Sequence, residues 1–163
     1  MTRRNLRRLQ VSTLLISLIV TVFPSLAAGP ATNDRGMDMV LLSDLGQEVR
    51  LSEVAGGKPA LLFFWATWCK GCRKVQPTVS TLAEKYKGRI QVIGVNTGGL
   101  DSVQAVSDYR KRNSITYPLL LDRTNQVAGA YGVVALPTVI VLDRNGQIRF
   151  RDLAPPATLE DLL

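Results

Sequence analysis

The sequence predicts an α/β fold in which a mixed central sheet is flanked by helices. Three observations carry this. Two continuous apolar runs of strand length, Ala60–Trp65 and residues 90–95, read as strands buried on both faces. Segments with helical apolar spacing lie between the apolar runs, and strands alternating with helices define an α/β layout. The last two runs, Thr138–Leu142 and residues 147–151, are joined by Asp143-Arg144-Asn145-Gly146, a hairpin turn. The sheet therefore holds antiparallel as well as parallel neighbours.

The elements follow in chain order. Residues 1–28 carry Arg3, Arg4, Arg7 and Arg8 and no acid, then the mostly apolar residues 11–23, then Pro24 and the small-residue stretch Ser25-Leu26-Ala27. This is the charged, apolar and cleavage-site order of a signal peptide. The competing reading is an uncleaved anchor. Residues 11–28 are 18 in number, the short limit for spanning a bilayer, and the arginine cluster would then stay cytoplasmic. Both readings place residues 29 onward outside the cytoplasm, with membrane contact only through 11–28. Residues 29–38 (GPATNDRGMD) read as a linker, and residues 39–163 as one domain.

Within that domain, residues 39–42 and 47–51 form two short strands around Ser43-Asp44-Leu45-Gly46, an N-terminal hairpin. Gly56-Gly57-Lys58-Pro59 ends whatever precedes it. After the first buried strand, residues 70–87 read as a helix with Val75, Val79, Leu82 and Tyr86 on one stripe. Pro77 predicts a kink, and Gly88 a stop. Asn96-Thr97-Gly98-Gly99 is expected as a loop. Residues 101–112 read as a helix capped by Asp101 or Ser102, residues 117–121 as a strand, residues 125–131 as a short helix, and residues 158–163 as a final helix.

The chain is 46% hydrophobic and 20% charged, with a formal net charge of +7. Four of those charges belong to the N-terminal arginines. The remaining surplus of +3 is too small and too spread to indicate nucleic-acid binding.

The chemistry concentrates in Trp68-Cys69-Lys70-Gly71-Cys72, which holds both cysteines. Two thiols two residues apart at a helix start can close into a disulfide and reopen. A zinc site needs four ligands, yet the chain has no histidine and no third cysteine. A covalent c-type haem needs His after the second Cys, and Arg73 stands there. A structural disulfide would close a very short loop, which removes little entropy from the unfolded chain. The open readings are a redox pair, a structural disulfide and a metal site shared between chains.

Phe64-Trp65-Ala66-Thr67-Trp68-Cys69-Lys70-Gly71-Cys72, then Pro77, then Leu136-Pro137-Thr138 before a strand, resemble the thioredoxin superfamily over about residues 37–163. An extra helix and strand between Val95 and Leu136 resemble the TlpA/ResA-like exported thiol-disulfide oxidoreductases. The resemblance implies a thioredoxin-like fold and an extracytoplasmic enzyme that exchanges a Cys69–Cys72 disulfide with cysteine-containing proteins, working as a reductant without cofactor or metal. It implies an upstream dithiol donor, membrane-embedded in some members. Two positions depart from the pattern. Phe63 stands where many members carry a buried Asp, and Val75 where ResA-like members carry Glu. Neither can relay a proton, so the resemblance carries general exchange chemistry rather than cytochrome c maturation in particular.

On this reading Cys69 is the nucleophile. Helix N-terminal N–H groups, Lys70, Arg73 and Lys74 would hold its pKa below the free-thiol value of about 8.5. Cys72 resolves. Gly71 permits close approach of a substrate backbone. Pro137 is expected in cis, presenting the Leu136 backbone to an incoming peptide. Trp68 either covers the sulfurs or belongs to the core; Trp65 is packing. The rival readings are a non-catalytic binding module and a copper-handling protein, which would need His or more thiols. A peroxide-reducing thiol enzyme is a further rival, but its Pro-x-x-x-Thr/Ser-x-x-Cys pattern is absent before Cys69.

Overall fold

The computed structural model describes residues 39–163. The segment read as signal or anchor (1–28) and the linker (29–38) lie outside the described residues. The chain runs β1 (Val40–Ser43), β2 (Glu48–Arg50), α1 (Leu51–Ala55), β3 (Ala60–Trp65), α2 (Lys70–Lys85), β4 (Gln91–Thr97), α3 (Val103–Asn113), β5 (Leu119–Asp122), α4 (Gln126–Ala130), β6 (Thr138–Leu142) and β7 (Ile148–Asp152), then a 3₁₀ turn at Glu160–Leu162. The strands form one sheet in the order β2-β1-β5-β4-β3-β6-β7. β3, β4 and β5 are mutually parallel, and all other neighbours pair antiparallel. The mixed sheet, the N-terminal hairpin and the α3–β5 insertion are as the sequence predicts.

Strand alternation explains the continuous apolar runs. Leu61, Phe63 and Trp65 point to the face covered by α2 and α3, where Val79, Leu82, Tyr86, Val106 and Tyr109 meet them. Leu62 and Phe64 point to the opposite face, under α1 and α4, with Leu51, Val127 and Tyr131. Both faces are closed, so every position of β3 is buried. Each fully buried Leu or Phe contributes about 1.5–3 kcal/mol. α2 runs through Pro77, and its buried stripe is Cys72, Gln76, Val79 and Leu82, with Val75 only half-buried against the core.

Several boundaries differ from the sequence reading. Asn96 and Thr97 belong to β4, not to a loop, because β5 supplies partners at Leu121 and Asp122. Asp101 is not the cap of α3. Ser102 is, its side chain accepting from the Ala105 N–H at 3.1 Å, so α3 starts at Val103. Leu51 opens α1 rather than ending a strand, since β2 pairs only as far as Arg50. α2 ends at Lys85, β5 begins after Pro118, and β7 is displaced by one residue from the expected span. The expected C-terminal helix is only the 3₁₀ turn. It is held by the Leu159 N–H donating to Tyr86 Oη at 3.1 Å and by the fully buried Leu159 side chain.

The insertion is locked to the hairpin by one cation. Arg110 donates from Nε and Nη2 to the buried Asp44 carboxylate, and from Nη1 to the carbonyls of Ile115 and Tyr117 at 2.9 and 3.0 Å. A bidentate pair that also satisfies backbone carbonyls leaves few polar atoms of the group without a partner.

Gly94 sits on β4 facing the α2/α3 side. A Cβ there would lie 2.5 Å from Leu119 Cδ2, 3.1 Å from Trp65 Nε1 and 3.2 Å from Tyr117 Cε2. The glycine makes room for the two large rings that fill the core beneath α2. Gly94→Ala is expected to destabilise the protein by about 1–3 kcal/mol through overpacking, read as a lowered urea midpoint with an unchanged slope.

Candidate redox site

The sheet register brings the site together. Phe64 pairs with Thr138 across β3 and β6, and Trp65 pairs with Asn96 across β3 and β4. The segment leaving β3 (residues 66–69) therefore emerges beside the segment entering β6 (residues 133–137) and the end of β4. The chain turns at once into α2, with Cys69 in the N-cap position.

Cys69 and Cys72 form a disulfide, with Cα atoms 5.3 Å apart. The Cys72 backbone N–H points at Cys69 Sγ at 3.1 Å. The unpaired N–H groups and positive dipole end of a helix favour negative charge at this position. Cys69 is 6% exposed and Cys72 0%, so only the first sulfur is open to a partner molecule.

Pro137 follows a cis peptide bond. A Cβ added at Gly71 would lie 3.0 Å from Pro137 Cδ. Gly71 is thus what lets the proline ring rest against the first turn of α2. The Thr138 hydroxyl donates to the Ala135 carbonyl at 2.7 Å, tying down the bend that precedes β6. Trp68 is 53% exposed, which removes the core reading for it, whereas Trp65 is buried with its ring 4.6 Å from that of Tyr109. Lys70, Arg73 and Lys74 are all exposed. Arg73 Nη1 donates to the Thr67 carbonyl at 3.3 Å. The two positions of departure are apolar in place as well as in sequence, Phe63 buried and Val75 half-buried against the same cluster. Burial pushes the phenols of Tyr109 and Tyr117 up, so the wall under α2 stays uncharged in the physiological range.

One residue of this architecture was misread from the sequence. Asp101 is buried, and its Oδ2 accepts from the Thr67 N–H at 2.8 Å and from Asn96 Nδ2 at 2.7 Å, while Oδ1 accepts from the Thr67 hydroxyl. A single carboxylate fixes the segment that carries Cys69 to the end of β4. The only signal in the sequence was an Asp before a helix, which also fits a cap. A second clamp was unforeseen: Asn125 Oδ1 accepts from the Thr97 hydroxyl and the Gly98 N–H at 2.6 and 2.7 Å. Asp101→Ala strands three donors. It is expected to cost about 2–4 kcal/mol in denaturant unfolding of the oxidised protein, with faster reduction of the disulfide by dithiothreitol and faster proteolysis marking a loosened 66–69 segment.

Comparison with known proteins agrees with this geometry. The AhpC/TSA family model matches residues 32–151. The chain is 35% identical over 132 residues to the thiol-disulfide oxidoreductase ResA of Geobacillus kaustophilus, covering 80% of this chain and 74% of that protein. It is 31% identical over 139 residues to ResA of Bacillus subtilis, covering 83% and 76%. Among solved structures, a thiol-disulfide oxidoreductase from Bacteroides fragilis aligns with a TM-score of 0.67 at 25% identity over 77% of this chain and 96% of that one. StoA from Bacillus subtilis aligns with a TM-score of 0.62 at 25% identity over 83% and 96%. With a cysteine pair at a helix N-terminus facing a cis-proline, on a sheet shared with these relatives, the chain belongs to the AhpC/TSA family of thioredoxin-fold proteins, alongside the ResA thiol-disulfide oxidoreductases.

Proposed function

We propose that this protein is a thiol-disulfide oxidoreductase that reduces disulfides in other proteins outside the cytoplasm. The observation that carries the reading is the Cys69–Cys72 pair at the start of α2, its outer sulfur facing a helix N-terminal N–H and the intervening Gly71 packed against Pro137.

The steps follow from accessibility. In the reduced protein the Cys69 thiolate attacks one sulfur of a substrate disulfide. The substrate S–S bond breaks, one substrate sulfur leaves as a thiolate and takes a proton, and the other is held in a mixed disulfide with Cys69. Cys72, shielded from solvent, attacks Cys69 Sγ from within the same helical turn. The second substrate sulfur leaves, and the protein is left with the Cys69–Cys72 disulfide seen in the structure. Two electrons have passed to the substrate, and an upstream dithiol must return them. Lys70, with Arg73 and Lys74, adds positive charge beside the attacking sulfur. Gly71 and Pro137 hold the groove in which Leu136 presents its backbone, and Trp68 forms the exposed flank of that groove.

The peroxide-reducing reading has no support in the residues, since Leu62 and Ala66 stand where the Pro-x-x-x-Thr/Ser-x-x-Cys pattern needs proline and a hydroxyl. Ala66 offers no hydroxyl next to Cys69. Among the described residues no helix is long and apolar enough to cross a membrane. The proposed extracytoplasmic location follows from the signal-like order of residues 1–28. N-terminal sequencing of protein recovered from the producing cell is expected to begin near residue 28, and a start at residue 1 in the salt-washed membrane fraction would assign an anchor instead.

Insulin reduction with dithiothreitol as donor tests the chemistry. Cys69→Ser is expected to lower turnover by at least about a hundredfold. Cys72→Ser is expected to accumulate a mixed disulfide at Cys69, seen as a mass increase equal to the substrate and reversed by dithiothreitol. Turnover surviving Cys69→Ser would place the chemistry elsewhere.

A further inference from the structure

We infer that the partner seated at this site is an extended polypeptide whose cysteine is flanked by acidic residues. The inference rests on the redox reading above and deepens it by naming the substrate class. The observation behind it is the distribution of charge around the disulfide.

The register places the carboxyl ends of β3, β4, β5 and β7 and the amino end of α2 at one end of the sheet. Lys70, Arg73 and Lys74 open α2 there. Arg123 follows β5, and Arg151 lies one residue from the end of β7. All five are exposed, and among the described residues none of them enters an ion pair. The ion pairs seen are Arg50–Glu53, Arg89–Glu160, Arg110–Asp44 and Lys111–Asp108. Among the described residues three acids stand at the same end, and only Asp152 is exposed. Asp101 and Asp122 are buried, the first with three neutral donors and the second accepting on Oδ2 from the Ala128 N–H at 2.8 Å while its Oδ1 has no hydrogen-bond partner among the described residues. Asp152 is exposed and accepts from the Leu153 N–H at 2.6 Å. Glu84, Asp143 and Glu160 lie at the far end, in the last turn of α2, after β6 and beside Arg89 respectively.

Packing ties the segments that carry Arg123 and Arg151 to the site. Gly98 lies against Trp68, where an added Cβ would be 3.3 Å from Cζ2, and Gly99 lies against the Arg123 carbonyl at 2.9 Å from its own Cβ position. Arg151 Nη1 donates to the Gly132 carbonyl at 3.0 Å, at the start of the segment that leads to Pro137. Beside Trp68 runs a groove of about 480 Å³ with an uncharged lining that includes Gly98, Asn125, Val134 and Leu136. Val134 is 97% exposed and Trp68 53%. The site next to the disulfide is therefore an apolar trough at an end of the sheet whose exposed rim carries these five cations and one acid, Asp152. Such a surface fits a chain that lays apolar side chains beside its cysteine and carries Asp or Glu on either flank. Uncompensated rim charge acts mainly on encounter rate and is screened over about 10 Å at 0.1 M salt.

The test uses the full-length reduced protein and three disulfide peptides of equal length, alike except that Glu, Gln or Lys flanks the cysteines. At about 20 mM salt the second-order rates are expected to fall in the order Glu, Gln, Lys, with about tenfold between the extremes, and to converge at about 500 mM salt. In a Lys74→Glu, Arg123→Glu double variant the Glu-to-Lys rate ratio is expected to collapse to about one or invert. The ratio is the readout because a change in thiol reactivity moves all three peptides together. Equal rates for the three peptides at low salt overturn the inference while leaving the redox reading standing. A ratio that survives charge reversal also overturns it. Reduction of none of the peptides sinks both. Binding to phosphatidylglycerol vesicles that the double variant abolishes, without any ranking of the peptides, would reassign the basic rim to a lipid surface.

Discussion

The end of β3 between β4 and β6 is the constraint on which the site depends. Strand pairing holds Trp65 opposite Asn96 on one side and Phe64 opposite Thr138 on the other, so the chain can leave the sheet at only one point. What leaves there must turn immediately into α2, and the sulfur of Cys69 arrives at the position where helix N–H groups converge. The Cys72 N–H aimed at Cys69 Sγ is the local expression of that arrangement. The cis Pro137 approaches from the neighbouring antiparallel strand, and Gly71 is the residue whose missing side chain permits it.

Rigidity beneath the sulfurs comes from closed packing and from a few polar clamps, two of them built on the buried carboxylates of Asp101 and Asp44. β3 contributes alternate side chains to two separate cores, so neither face can shift without disturbing the other. Asp101 joins the cysteine-bearing segment to β4, Asn125 joins the end of β4 to the start of α4, and Arg110 joins the inserted helix to the N-terminal hairpin. Each clamp spans elements far apart in sequence, and each would leave stranded donors or a stranded charge if one partner were lost. The insertion is thus part of the frame that positions the redox end, and not merely an appendage.

Among the described residues, exposed cations that enter no ion pair stand at the end of the sheet where the disulfide opens, and others, Lys58, Lys87 and Arg144, stand at the opposite end. Helix geometry favours a negative sulfur at Cys69, and the exposed Lys70, Arg73 and Lys74 add the same sign of potential around it. Local and longer-range electrostatics therefore point one way, towards an anionic reacting atom within the site and an acidic chain around it.

Much of this was readable from the residues. The continuous apolar run Ala60–Trp65 gave β3 to the residue, because burial on both faces leaves no polar position to blur its ends, while Pro137 before β6 and the turn after it bounded that strand. Helical spacing found α2 and α3, the Asp-Arg-Asn-Gly turn found the last hairpin, and the C-x-x-C pair with Leu136-Pro137-Thr138 found the site. Where the sequence reading failed, the missing information was long-range. Asn96 and Thr97 are polar and precede two glycines, so they read as loop until β5 supplies their backbone partners. Asp101 reads as a cap until the fold brings Thr67 and Asn96 to it, and Trp68 is ambiguous until its surroundings are known. The sequence by itself determined which residues pair as thiols and which segments must be buried, since those follow from residue chemistry and periodicity. Only the tertiary structure decided which sulfur meets solvent, what braces the segment that carries it and where the charges collect, since these depend on residues that approach one another only after the chain has folded.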